Sequence, residues 1–199
     1  LPKIALQILP ASADFYFGMT NKSKLFQKAQ KLLQKQKFDA AFDIYLQLHE
    51  DEPANEAVLL NLVDLSLRFG REEDSLRYSH LLADLYIERK DFSKAIVTCR
   101  KILKATPEDI RTLVKLALLL EQSRKTPEAV DVFREAAAAY RRNGDAIEAL
   151  DCLQHLVNLE PDNLEAHTEL AEVARETGKL ELGATALLRA ADIARRNGN

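Results

Sequence analysis

Displaced by 54 positions, the sequence falls on itself: Ala41, Ala95 and Ala149 coincide, and so do Pro53, Pro107 and Pro161. Apolar character recurs with them at Phe42, Ile96 and Leu150, at Leu48, Ile102 and Leu156, and at Leu62, Leu116 and Leu170. Such a period leaves few architectures open, because a unit of this size cannot bury its own apolar faces and must stack on the next. The copies run 38–91, 92–145 and 146–199.

Within each copy the apolar residues are spaced three and four apart, as in AVLLNLVDLSLRF and EAVDVFREAAAAY. That spacing places them on one broad helix face. Helices are predicted near 22–36, 38–50, 56–69, 72–89, 92–104, 108–122, 127–142, 146–158, 163–177 and 180–197. Arg141 and Arg142 suit a helix C-terminus before NGD at 143–145, and Asp145 with Glu148 has the spacing of a capping box. TPED at 106–109 and TPEA at 126–129 predict Thr106 and Thr126 as N-caps, each followed by a proline that opens the helix.

The fold class is therefore all-α, and composition agrees: six glycines and six prolines in 199 residues are too few for a turn-rich β-protein. The 28 basic and 31 acidic residues are interspersed, so the chain lacks the one-sided field of a nucleic-acid binder, and no nucleic-acid partner is expected. No apolar run approaches the roughly 20 residues that cross a bilayer, and membrane association is expected only indirectly. Cys99 and Cys152 lie inside apolar helical runs without CxxC spacing and read as reduced core thiols, which favours a cytoplasmic location.

These residues resemble the tetratricopeptide repeat family, whose 34-residue motif pairs two antiparallel helices with small residues at their close crossing. In segment 22–55, Leu25, Ala29 and Leu32 match the first helix, and Phe38, Ala41, Tyr45, Leu48 and Pro53 match the second. Segment 76–109 fits through Leu82, Ala83, Tyr86, Phe92, Ala95, Cys99, Ile102 and Pro107, and segment 130–163 through Phe133, Ala136, Ala137, Tyr140, Gly144, Ala149, Leu153, Leu156 and Pro161. The resemblance covers 22–199 and implies an α-α superhelix, a right-handed solenoid of about ten antiparallel helices. Residues 1–21 stand apart as an irregular N-terminal extension with an aromatic cluster of Phe15, Tyr16, Phe17 and Met19.

The resemblance also implies where function sits. Such arrays hold ligands on a concave surface lined by first-type helices, and on that pattern the protein-binding groove candidates are Phe26, Gln30, Leu33, Leu60, Asp64, Arg68, His80, Asp84, Ile87, Val114, Leu118 and Glu121. The basic, Asn-rich clamp that the family's chaperone-tail binders use is not matched, because Phe26, Gln30, Asn61 and Asp64 occupy its places.

Catalysis has no foothold in the motifs. His49, His80, His155 and His167 lie far apart without HExxH or paired metal spacing, and no P-loop, GxGxxG or GxSxG occurs. No enzyme activity, cofactor or metal is expected. Lys22, Lys24, Lys28, Lys31, Lys35 and Lys37 form one basic cluster, four of them (Lys24, Lys28, Lys31 and Lys35) on one helix face. The expectation is a non-catalytic adaptor that holds a peptide or protein in its concave groove. The alternative is a structural subunit of a larger, membrane-associated complex, assembled through the array ends and the basic first helix. RAADIARRNGN at 189–199 aligns with EAAAAYRRNGD at 135–145 and stops where a further unit would begin, so continuation past Asn199, docking there on a partner, or self-association is expected.

Overall fold

The computed structural model describes residues 13–198, with side chains from 21 onward. Its ten helices are α1 (Ala13–Gln34), α2 (Phe38–Asp51), α3 (Glu56–Arg68), α4 (Glu72–Glu88), α5 (Phe92–Ala105), α6 (Ile110–Gln122), α7 (Thr126–Asn143), α8 (Ala146–Leu159), α9 (Leu164–Glu176) and α10 (Leu180–Arg196). No strand occurs among the described residues. Turns of two to four residues separate consecutive helices. The chain divides into two compact units, 1–85 and 86–199, with the division inside α4.

In the first unit α1 packs on α2 and α2 on α3. In the second, α5 to α10 pack in chain order, each on the next. The residues that carried the repeat are its core. Ala41, Ala95 and Ala149 are each fully buried, and Leu48, Ile102, Leu156, Leu62, Leu116 and Leu170 are at most 4 % exposed. Burying a side chain of leucine size stabilises by about 1.5–3 kcal/mol, so these recurring positions supply the main driving force.

The prolines mark a recurring turn rather than a helix start. Each four-residue turn, EPAN at 52–55, TPED at 106–109 and EPDN at 160–163, holds proline second and ends on a capping residue. Asn55, Asp109 and Asn163 accept hydrogen bonds from the backbone amides of Val58, Thr112 and Ala166 at the start of α3, α6 and α9. Thr106, expected as an N-cap, instead ends α5, donating its hydroxyl to the Ile102 carbonyl at 3.0 Å. Thr126 is the first residue of α7, behind an N-cap at Lys125, and Asp145 holds the N-cap place of α8 without a side-chain bond. Gly144 does close α7 in the left-handed conformation, φ +85°.

A second recurrence lies where helices approach most closely. Ser75, Ala129 and Gly183 occupy one register, and all three are buried. Ser75 donates to the Val63 carbonyl at 3.4 Å, and a Cβ added to Gly183 would stand 3.4 Å from the carbonyl oxygen of Ala171, the residue in register with Val63. Small side chains here let each pair of helices touch backbone to backbone.

The first helix begins at Ala13, not 22, so residues 13–21 are helical where an irregular extension was expected. No proline falls between Pro10 and Pro53, and the one poor helix former in the added stretch, Gly18, costs only about 1 kcal/mol. Residues 1–12 and the side chains of the aromatic cluster lie outside the described residues.

Candidate functional site

In the first unit, α1 turns Lys22, Ser23, Phe26, Gln27 and Gln30 toward the C-terminus of α2 and the start of α3. Between them lies a cleft of about 500 Å³, completed by Leu48, Glu52, Asn55, Ala57 and Val58. Its floor is apolar: Leu48 and Val58 are buried, and Phe26 meets Tyr45 edge to face at 5.8 Å between ring centres. Its rim is polar. Lys22 Nζ lies 3.1 Å from Glu52 Oε1, and Asn55 Nδ2 donates to Glu52 Oε2 at 3.1 Å while Asn55 Oδ1 caps α3. Hydrogen bonds from Asn55 and Lys22 hold the Glu52 carboxyl below the usual carboxylate range, against a smaller opposing effect of burial.

Phe26 and Gln30 are the sequence candidates that this cleft brings together. Leu33 is half-buried on the same helix. On α3, Leu60 is 46 % exposed, and Asp64 accepts a 2.9 Å hydrogen bond from Arg68 Nε, whose guanidinium lies 5.1 Å above the Phe38 ring. Asn61 donates to the Ala57 carbonyl at 2.7 Å, which commits it to its own helix. His80 and Asp84 are half-buried on α4. Lys22, Glu52 and Asn55 were not singled out as site residues, although the 54-residue recurrence of Asn55 with Asp109 and Asn163 was a signal for the turn.

In the second unit, Ile87 and Val114 are half-buried, and Leu118 is exposed. Glu121 on α6 is engaged: its carboxylate lies 3.0 Å from His155 Nδ1 on α8, and the His155 ring stacks on Phe133 of α7 at 4.8 Å. A cleft of about 390 Å³ opens between α9 and α10, lined by Thr168, Ala171, Glu172, Arg175, Leu180, Gly183, Ala184 and Leu187. None of these was a candidate. Cys99 and Cys152 are buried free thiols, and burial, aided by Asp151, pushes the Cys152 thiol up to about 11, far from a nucleophile at neutral pH.

A family model described as tetratricopeptide repeat matches residues 80–143 and 135–199. The chain belongs to the tetratricopeptide repeat family. The two matches overlap on α7, the helix that packs on both α6 and α8 and so closes one helix pair while opening the next. A TPR repeat-containing protein of Methanocaldococcus jannaschii is 22% identical over 174 residues, which cover 79% of this chain; the chain spans 30% of that relative's length. Among solved structures, MamA from Desulfovibrio magneticus RS-1 aligns at 14% identity and a TM-score of 0.31, covering 89% of this chain and 98% of MamA. Nearly identical TPR-like repeats from Podosopora anserina align at 17% identity and a TM-score of 0.33, covering 89% and 96%. Those scores are low, and the assignment stands on the sequence match. Tetratricopeptide repeat proteins bind other proteins or peptides, and the all-helical, α-α superhelix class expected from the repeat is the fold of this chain. No described helix is long and apolar enough to cross a membrane.

Proposed function

We propose that this chain is a non-catalytic adaptor whose first unit holds a protein segment in the cleft between α1 and α3. The supporting observation is the cleft itself: an apolar floor of Phe26, Leu48 and Val58 under a rim of hydrogen-bonding groups from Lys22, Gln27, Gln30 and Asn55. An apolar floor with a few placed polar groups is the usual build of a recognition site. Leu60, Asp64 and Arg68 continue the candidate surface along α3. A photo-crosslinking residue at Gln30 is expected to capture a defined protein, and Phe26→Asp to abolish the capture. Equal capture from a crosslinker at Glu148, or capture indifferent to Phe26→Asp, would exclude the cleft.

One observation favours the structural-subunit reading. Lys24, Lys28, Lys31 and Lys35 are all exposed, and no acidic residue occurs between Asp14 and Asp39. Binding to an acidic neighbour through this face would weaken steeply with salt and disappear on changing the four lysines to glutamate, whereas cleft binding would persist.

A further inference from the structure

Charge is segregated along the first unit. Residues 22–37 hold six lysines and no acidic residue, whereas residues 39–56 hold six acidic residues and no lysine or arginine. Lys22 reaches across to Glu52 at 3.1 Å. Lys24, Lys28, Lys31 and Lys35 on α1 are exposed, as are Asp39, Asp43 and Glu50 on α2, and none of these seven has an ion pair among the described residues. Helical periodicity gathers each set into a stripe no more than about 60° wide, and each stripe runs over eleven residue steps, about 16 Å. The repeat demands neither stripe. One register on, the lysines become Tyr78, Leu82, Leu85 and Arg89, the first three of them buried, and the acids become Ser93, Val97 and Lys104. On α10, by contrast, exposed charges pair within the chain: Arg189 and Arg196 meet Asp162, and Arg195 meets Asp192.

From this segregation we infer that the first unit associates with a second copy of the chain, the lysine stripe of α1 in one copy lying along the acidic stripe of α2 in the other. The contact rests on the lysine face being a docking surface, as the structural-subunit reading has it, and not on the cleft. The stripes are opposite in sign and equal in length, so the complement that the lysines require is already carried by the same unit. Within one copy the stripes stay apart: α1 and α2 pack through buried Ala29 and through Phe26 against Tyr45, and both stripes are left facing solvent. Residues 1–12 contain no acidic side chain that could neutralise the lysines. No large apolar side chain of α1 is exposed among the described residues, so the helix offers a bilayer nothing to insert beside its charges. A single exposed ion pair contributes little and is screened by salt, so the association comes from the ladder as a whole.

Sedimentation velocity of the 199-residue chain tests the contact. At about 20 mM salt the chain is expected to form dimers or larger species, and at about 500 mM salt its self-affinity is expected to fall at least about tenfold. A variant carrying Lys24→Glu, Lys28→Glu, Lys31→Glu and Lys35→Glu, and one carrying Asp39→Lys, Asp43→Lys and Glu50→Lys, are each expected to be monomeric, because both stripes then bear one sign. Mixed in equal amounts, the two variants are expected to associate again, which also shows that both are folded. Association that survives either reversal, or a mixture that stays monomeric while circular dichroism finds both variants folded, would overturn the contact. A wild-type chain that is monomeric at low salt overturns it as well. Binding of poly-glutamate, lost with the four lysines, would then confine the failure to the second copy, and its absence would remove the docking face too. Binding of such a monomer to phosphatidylserine vesicles would overturn the contact in favour of a membrane surface.

Discussion

Seven turns expose how strictly single residues are governed by the register. Gln36, Lys90, Gly144 and Gly198 recur at one left-handed position, and Gly70, Arg124 and Gly178 at another, with φ between +57° and +85°. Only glycine adopts that region freely, so Arg124 carries local strain that its register partners avoid. Arg124→Gly is expected to raise stability by up to about 1 kcal/mol, and Gly178→Ala to lower it by about 1 kcal/mol, in chemical denaturation. Opposite signs at one register position would be hard to obtain from side-chain contacts alone. His49 shows a different constraint. Burial first, then the nearby positive charge of Arg77, hold its imidazole below its ordinary value against a smaller pull from Glu50, and its ring meets Tyr78 edge to face at 5.5 Å. The unfolded chain takes up a proton near pH 6.5 while the folded chain still resists, so stability is full above about 6.5 and falls as pH drops toward the lower folded value. The urea midpoint should therefore decline from pH 7 to pH 5, and His49→Gln should flatten that decline; an unchanged profile in the variant would locate the sensitivity elsewhere.

Helices were the most legible layer. Apolar spacing placed all ten, with α2, α3, α4, α5, α8 and α10 beginning at the predicted residue, because burial of a periodic face dominates the energetics of each element. Caps were less legible. Thr106 followed by proline matches a helix start locally, yet the chain uses Asp109 for that role, and Thr112 Oγ1 donates to the Asp109 carboxylate at 2.8 Å beside the capped amide. Only the recurrence of Asn55, Asp109 and Asn163 separates the two readings. Asp109→Ala is expected to cost about 1 kcal/mol, and Thr106→Ala less, since Thr106 returns its hydroxyl to a helix that already has its backbone bonds. A larger loss at Thr106 would restore it as the structural cap. The site was legible in part for the same reason. Phe26 and Gln30 follow from helix-face arithmetic, whereas Glu52 and Asn55 reach the cleft only through the turn geometry.

At the scale of the whole chain, recurrence governs how stability is distributed. Within each unit the packed pairs are helices adjacent in sequence, so the free energy of folding accumulates largely as local terms. Leu62 lies fully buried in the first unit and Leu153 fully buried in the second. Truncation of either to alanine removes buried methyl groups and leaves a cavity, at a cost of about 2–5 kcal/mol. Locality then dictates where that cost is felt. Leu62→Ala should accelerate amide exchange across α2 and α3 while α7, α8 and α9 retain most of their protection, and Leu153→Ala should do the reverse. Hydrogen exchange resolved by segment measures both. Uniform loss of protection along the chain after either substitution would mean that folding is one cooperative event, and the repeat would then describe how the chain is built without describing how it comes apart.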